Sequence, residues 1–166
     1  MRPRTLFKSI TPALAAFLFL SNSGTLAAAE TAPLATKLVG QWTCEGREND
    51  AALTMTLDYR LRNGWLVGEM VEDNGAAMLD VWLDSGTAPL ALRRLLSYDA
   101  TVEMQLVEES ADHLKLEGAM RFILGNAGAV REEIRFNGND RFEALWEAEV
   151  DNEWVAILSR TCTRSG

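Results

Sequence analysis

Few residues in this chain could do chemistry. Among its 166 residues there is one histidine, His113, and there are two cysteines, Cys44 and Cys162. A Ser-His-Asp or Cys-His relay would have to be built on His113. That residue opens the run His113-Leu114-Lys115-Leu116, where the leucines alternate with polar neighbours. His113 therefore falls on a wet face, where an imidazole is a surface group. A haem needs an axial His, Met, Cys or Tyr; an outward His113 argues against one, and no cofactor is expected. Two thiols exclude a four-thiolate zinc site, and no metal is expected. The 24 acidic residues bring carboxylates together by chance, so no glycosidase-like pair stands out. Asn137-Gly138-Asn139-Asp140 offers oxygen ligands, but no EF-hand spacing follows, and the segment reads as a turn. There is no glycine-rich phosphate cradle. With no catalytic constellation, the expectation is a protein that is not an enzyme.

Glu132 and Arg160 draw notice by where they fall. Glu132 shares the parity of Val130, Ile134 and Phe136, and Arg160 that of Leu158 and Cys162. Charges on an apolar face are costly unless paired. Glu132 and Arg160 would pair with each other or orient a polar ligand group, unless a bulge turns Glu132 outward. They are the only charges expected inside.

The elements that position these residues are strands. Period-2 alternation runs through Leu53, Met55, Leu57, Tyr59 and Leu61, through Leu114, Leu116, Gly118, Met120 and Phe122, and through Phe142, Ala144, Trp146, Ala148 and Val150. Shorter stretches repeat it at Leu79, Val81, Leu83 and at Val102, Met104, Leu106. Asn63-Gly64 separates two runs by two residues, the mark of a type I′ hairpin. Asp73-Asn74-Gly75, Asp84-Ser85-Gly86 and Asp151-Asn152 mark further reversals. The expected strands are 40–46, 52–62, 65–72, 77–84, 90–97, 101–108, 113–123, 129–136, 141–150 and 153–163. Residues 90–97 would also suit one helical face, and a helical turn is expected near 31–38.

Arg2, Arg4 and Lys8 precede the apolar run Ile10–Leu20, and Ala27-Ala28-Ala29 follows. That is a Sec-type secretory signal, with cleavage expected after Ala29. The run is too short to span a bilayer, and no cysteine before Cys44 could carry a lipid. Residues 30–166 would then form one domain, periplasmic or secreted in a bacterium. Removing the leader takes three basic groups and no acid, so the net charge moves from −8 to −11. Such an acidic chain does not suit nucleic acid. It suits a cationic protein partner.

Eight to ten strands, each paired with its sequence neighbour, leave two exposed edges unless the sheet closes. Export permits a disulfide. Closure would make the first and last strands adjacent and bring Cys44 to Cys162. Trp42 shares a face with Cys44, and in the last strand Arg160, Arg164, Trp154, Ala156 and Leu158 share the face of Cys162. The expectation is an all-β, antiparallel up-and-down closed barrel, sealed by Cys44–Cys162 and plugged by Trp42 under Arg160 through a cation–π contact.

The run Gly40-Gln41-Trp42, the neighbour-paired meander and the late arginine resemble the lipocalin and calycin pattern. Ser97-Tyr98-Asp99, Leu116-Glu117-Gly118, Arg141-Phe142 and Arg160-Thr161-Cys162-Thr163-Arg164 are similar to small bacterial lipocalin-like domains of unassigned function. The resemblance implies an apolar or amphipathic ligand held in the barrel, and no chemistry. Trp42-Thr43-Cys44-Glu45-Gly46 resembles the opening of small exported lysozyme inhibitors, which implies the alternative, an exported inhibitor of a hydrolase. The lumen is expected to present Met55, Leu57, Tyr59, Met104, Met120, Phe122, Glu132, Phe136, Phe142 and Trp146, side chains that suit an adaptable pocket as well as a filled core. A monomer is expected.

Overall fold

The computed structural model describes residues 34–84, 89–123, 125 and 127–165. The secretory signal expected over 1–29 lies outside them. A 3-10 turn, Ala35–Leu38, leads into ten strands: β1 (Gly40–Glu48), β2 (Ala51–Arg62), β3 (Trp65–Glu72), β4 (Ala77–Leu83), β5 (Ala91–Leu96), β6 (Ala100–Glu109), β7 (His113–Phe122), β8 (Ala127–Phe136), β9 (Arg141–Val150) and β10 (Glu153–Arg164). Every strand pairs antiparallel with its sequence neighbour, and β1 pairs with β10, so the sheet closes into an up-and-down barrel. The segment within 90–97 that would also suit a helical face is a strand, β5. Leu92, Arg94 and Leu96 face the lumen while Leu95 is half exposed, an alternation of period two that outweighs the helical spacing. No described helix is long and apolar enough to cross a membrane.

Two-residue turns set the register. Asn63 and Gly64 have φ of 52° and 84°, and Asp151 and Asn152 of 54° and 65°. Positive φ at both positions matches the twist of the flanking strands. At the seam Cys44 lies opposite Cys162, Cα atoms 4.0 Å apart, and the two form a disulfide.

One end of the barrel is stoppered. Leu34, Ala35 and Leu38 are buried over the opening, and the Trp42 indole donates to the Leu38 carbonyl at 2.7 Å. The Trp42 ring meets Phe142 edge-on at 4.8 Å, with Phe136 behind it. The arginine over Trp42 is Arg164, at 4.2 Å, and not Arg160. Register explains the difference: Trp42 stands opposite Arg164, whereas Arg160 stands opposite Gly46, deeper in the barrel. Arg164 also donates to the carbonyls of Val39 at 2.6 Å, Lys37 at 3.1 Å and Asn139 at 2.7 Å.

Three facing assignments differ from the alternation read in the sequence. In β4 the inward residues are Met78, Asp80 and Trp82, while Leu79, Val81 and Leu83 face outward and are only partly covered. Both parities of β4 are largely apolar, and the lumen takes the one with the indole because Arg94 neutralises Asp80. A register shift between Ala156 and Leu158 in β10 turns Trp154 outward, where Arg131 lies 4.4 Å over its ring. Phe122 is 41% exposed, because the last residue of β7 projects past the rim of the barrel.

Candidate functional site

The lumen contains a chain of buried polar groups drawn from five strands. Tyr59 of β2 donates to Asp80 Oδ2 of β4 at 2.8 Å. Arg94 of β5 donates from Nε to Asp80 Oδ1 at 2.7 Å and from Nη2 to Oδ2 at 3.0 Å. Arg94 Nη2 also lies 2.9 Å from Glu132 Oε2 of β8, and Arg160 Nη2 of β10 donates to Glu132 Oε1 at 2.7 Å. These five side chains are almost fully buried. Glu132 faces inward and pairs with Arg160, with no bulge turning it outward. Those two are not the only interior charges: Asp80 and Arg94 complete the chain, and Glu72 is buried in β3.

Gly68 makes the first link possible. It is the register partner of Tyr59 on one side and of Asp80 on the other. A Cβ at Gly68 would overlap the Tyr59 ring. The bare backbone lets the ring lie across β3 and deliver its hydroxyl to Asp80 two strands away.

Electrostatics follow from burial. Burial, and then the charge on Asp80, push the Tyr59 phenol well above its ordinary range, so it remains a donor. Burial works to discharge Arg94, but Asp80 and Glu132 outweigh it and hold the guanidinium protonated. Two carboxylates and two guanidinium groups leave the chain formally neutral.

Its hydrogen bonding is lopsided. Among the described residues, Arg94 Nη1, Arg160 Nε and Nη1, Trp82 Nε1 and Trp146 Nε1 are buried side-chain donors without an acceptor, while Glu132 Oε2 is the one interior side-chain acceptor lacking an aligned donor. Unmatched buried donors are costly and rare in native folds.

The end of the barrel opposite Trp42 is open. A cavity of about 200 Å³ there is lined by Tyr98, Met120, Phe122, Trp146 and Leu158, with Glu48 at its edge. Trp146 forms the boundary between this mouth and the polar chain. It is the register partner of Glu132, and the Arg94 guanidinium lies 5.0 Å from its ring centroid. Burial, and then Glu72, raise the Glu48 carboxyl above its ordinary range; burial and then Glu48 do the same for the Tyr98 phenol. A larger hollow of about 470 Å³ lies on the outer wall among Glu45, Glu133, Arg135 and Glu143. It is a shallow trough whose Arg135 is already paired with Glu133 at 2.8 Å, so the mouth is the better candidate.

The sequence-predicted set is thus divided. Met120, Phe122 and Trp146 line the mouth; Tyr59 and Glu132 belong to the polar chain. Met55 and Met104 are packed in the lumen, and Phe136 and Phe142 sit at the stoppered end. His113 stands on the outer wall, 3.6 Å from both Glu108 and Glu133. Among the described residues no three His, Cys, Asp or Glu side chains gather as a metal ion requires.

No protein-family model matches this chain, and no curated protein matches it. Solved structures do. The crystal structure of Rv2717c from M. tuberculosis is similar with a TM-score of 0.62 at 12% identity, covering 82% of this chain and 100% of that one. The redesigned β-barrel mFAP1 bound to DFHBI matches at a TM-score of 0.40 and 14% identity, over 80% of this chain and 100% of that one. A protein of unknown function from the DUF3598 family of Nostoc punctiforme matches at 0.45 and 16%, over 86% and 53%. At these identities the likeness to Rv2717c establishes a shared small-barrel fold, and the other two are looser.

Proposed function

We propose that this protein binds a small apolar or amphipathic molecule in the open end of its barrel and does no chemistry on it. The observation that carries this reading is the cavity of about 200 Å³ bounded by Trp146, Met120, Phe122 and Leu158. Apolar walls with a few convergent polar groups are what a small-molecule site requires. Export from the cytoplasm is part of the proposal, supported by the Cys44–Cys162 disulfide and the leader-like N-terminal run.

Native mass spectrometry of the protein purified from its own host tests the reading. The expected result is a discrete added mass that disappears on denaturation and is lost in Trp146→Ala. An unliganded chain that instead co-purifies with a hydrolase would replace this reading with the inhibitor alternative.

A further inference from the structure

If the mouth is a binding site, as proposed above, its chemistry restricts what enters it. We infer that the ligand is neutral and presents a hydrogen-bond acceptor, such as an amide, ester or ketone, at its polar end.

Three observations converge on that class. Among the described residues, five buried side-chain nitrogens of the interior lack an acceptor against a single unmatched side-chain oxygen, so the interior asks for an acceptor. One of them, Trp146 Nε1, belongs to a residue that is 3% exposed and lines the cavity. The charges of Asp80 and Glu132 against Arg94 and Arg160 already cancel. An anionic head would leave a net negative charge in a low-dielectric space.

The mouth adds to that penalty. Glu48 borders the cavity and Glu72 is buried near it, and neither is in an ion pair among the described residues. Asp50, Asp73, Asp99 and Asp151 stand at the turns of the same end and outnumber its arginines, Arg47 and Arg121. An anion is repelled on approach. A cationic ammonium head is drawn to the rim, but it offers no acceptor to an interior whose unmatched groups are mostly donors. A neutral acceptor meets neither obstacle.

Three probes of equal chain length separate the possibilities: octanamide, octanoate and octylammonium. Each is titrated at pH 7 into the purified full-length protein, with calorimetry as the readout. Octanamide is expected to bind at least about tenfold more tightly than the other two. Trp146→Phe keeps an aromatic ring at the boundary and removes the N–H. It should weaken octanamide about tenfold while leaving the unfolding midpoint near that of the parent chain. Phe122→Ala at the rim should weaken all three probes alike. Tightest binding of octanoate would show an anion site, and tightest binding of octylammonium would show that the acidic rim decides; either overturns the inference and leaves the binding proposal standing. An unchanged octanamide affinity in Trp146→Phe also overturns it. Binding of none of the three removes both.

Discussion

Tyr59 is a phenol locked into one role. Its hydroxyl donates to Asp80 inside a lumen where ionisation is disfavoured first by burial and then by the neighbouring carboxylate. Tyr59→Phe leaves Asp80 with Arg94 alone, and a loss of about 1–2 kcal/mol in urea unfolding is expected. Arg94→Met takes away the cation shared by Asp80 and Glu132 and should cost more, about 3–5 kcal/mol, because two buried carboxylates lose a partner. If the two variants prove equally mild, Arg94 is not the shared partner that holds the buried carboxylates. Removing the charge of Glu48 should stabilise instead. Its raised pKa means that the folded chain holds the proton more tightly than the unfolded one, so stability falls as pH climbs from the ordinary carboxylate range through the raised value. Glu48→Gln should therefore melt near the parent chain at about pH 4 and above it at pH 7, in thermal scans at both pH values. At this scale Glu132 and Arg160 were legible, because each sits on the parity of clearly apolar neighbours. Asp80 was hidden by Leu79, Val81 and Leu83, which offer an equally apolar face on the wrong side. Arg94 was hidden in a segment readable as helix. The unpaired indole nitrogens cannot be read from spacing at all, since they depend on which acceptors five different strands bring within reach.

The strand as an element explains why Arg164, and not Arg160, stoppers the barrel. A period of two puts both arginines on the Cys162 face, and only the pairing register chooses between them. Arg164 gathers the 3-10 turn, the β8–β9 turn and the Trp42 ring through one guanidinium. Arg164→Leu keeps apolar bulk but strands those carbonyls. It should cost about 2–3 kcal/mol and speed hydrogen exchange at the Val39 amide, which is bonded to the Thr36 carbonyl at 3.1 Å. Loss of stability without faster exchange there would mean that the turn stands without the arginine. The misplaced Trp154 belongs to this scale too. A single bulge inverts every residue beyond it, and nothing in Ala156-Ile157-Leu158 announces one.

For the whole molecule the decisive event is closure. Neighbour pairing and the hairpin turns were legible along the chain, and the two cysteines at its extremes pointed to the seam. A link across 118 residues removes much freedom from the unfolded chain. The joint variant Cys44→Ala with Cys162→Ala should lose up to about 4–5 kcal/mol, read as a lower urea midpoint. An unchanged midpoint would assign the seam to the β1–β10 hydrogen bonds alone. What the sequence could not disclose is how far the lumen fills. Volume depends on how buried side chains such as Trp42, Trp82 and Trp146 fill it, and that emerges only once the ring is closed.

An even number of up-and-down strands returns the polypeptide to the side from which it set out. Gly40 and Arg164 lie together at the stopper, a full barrel length from the aromatic rim. Tethering the purified protein to a sensor chip through its C-terminus would accordingly hold every copy with its aperture facing the flow.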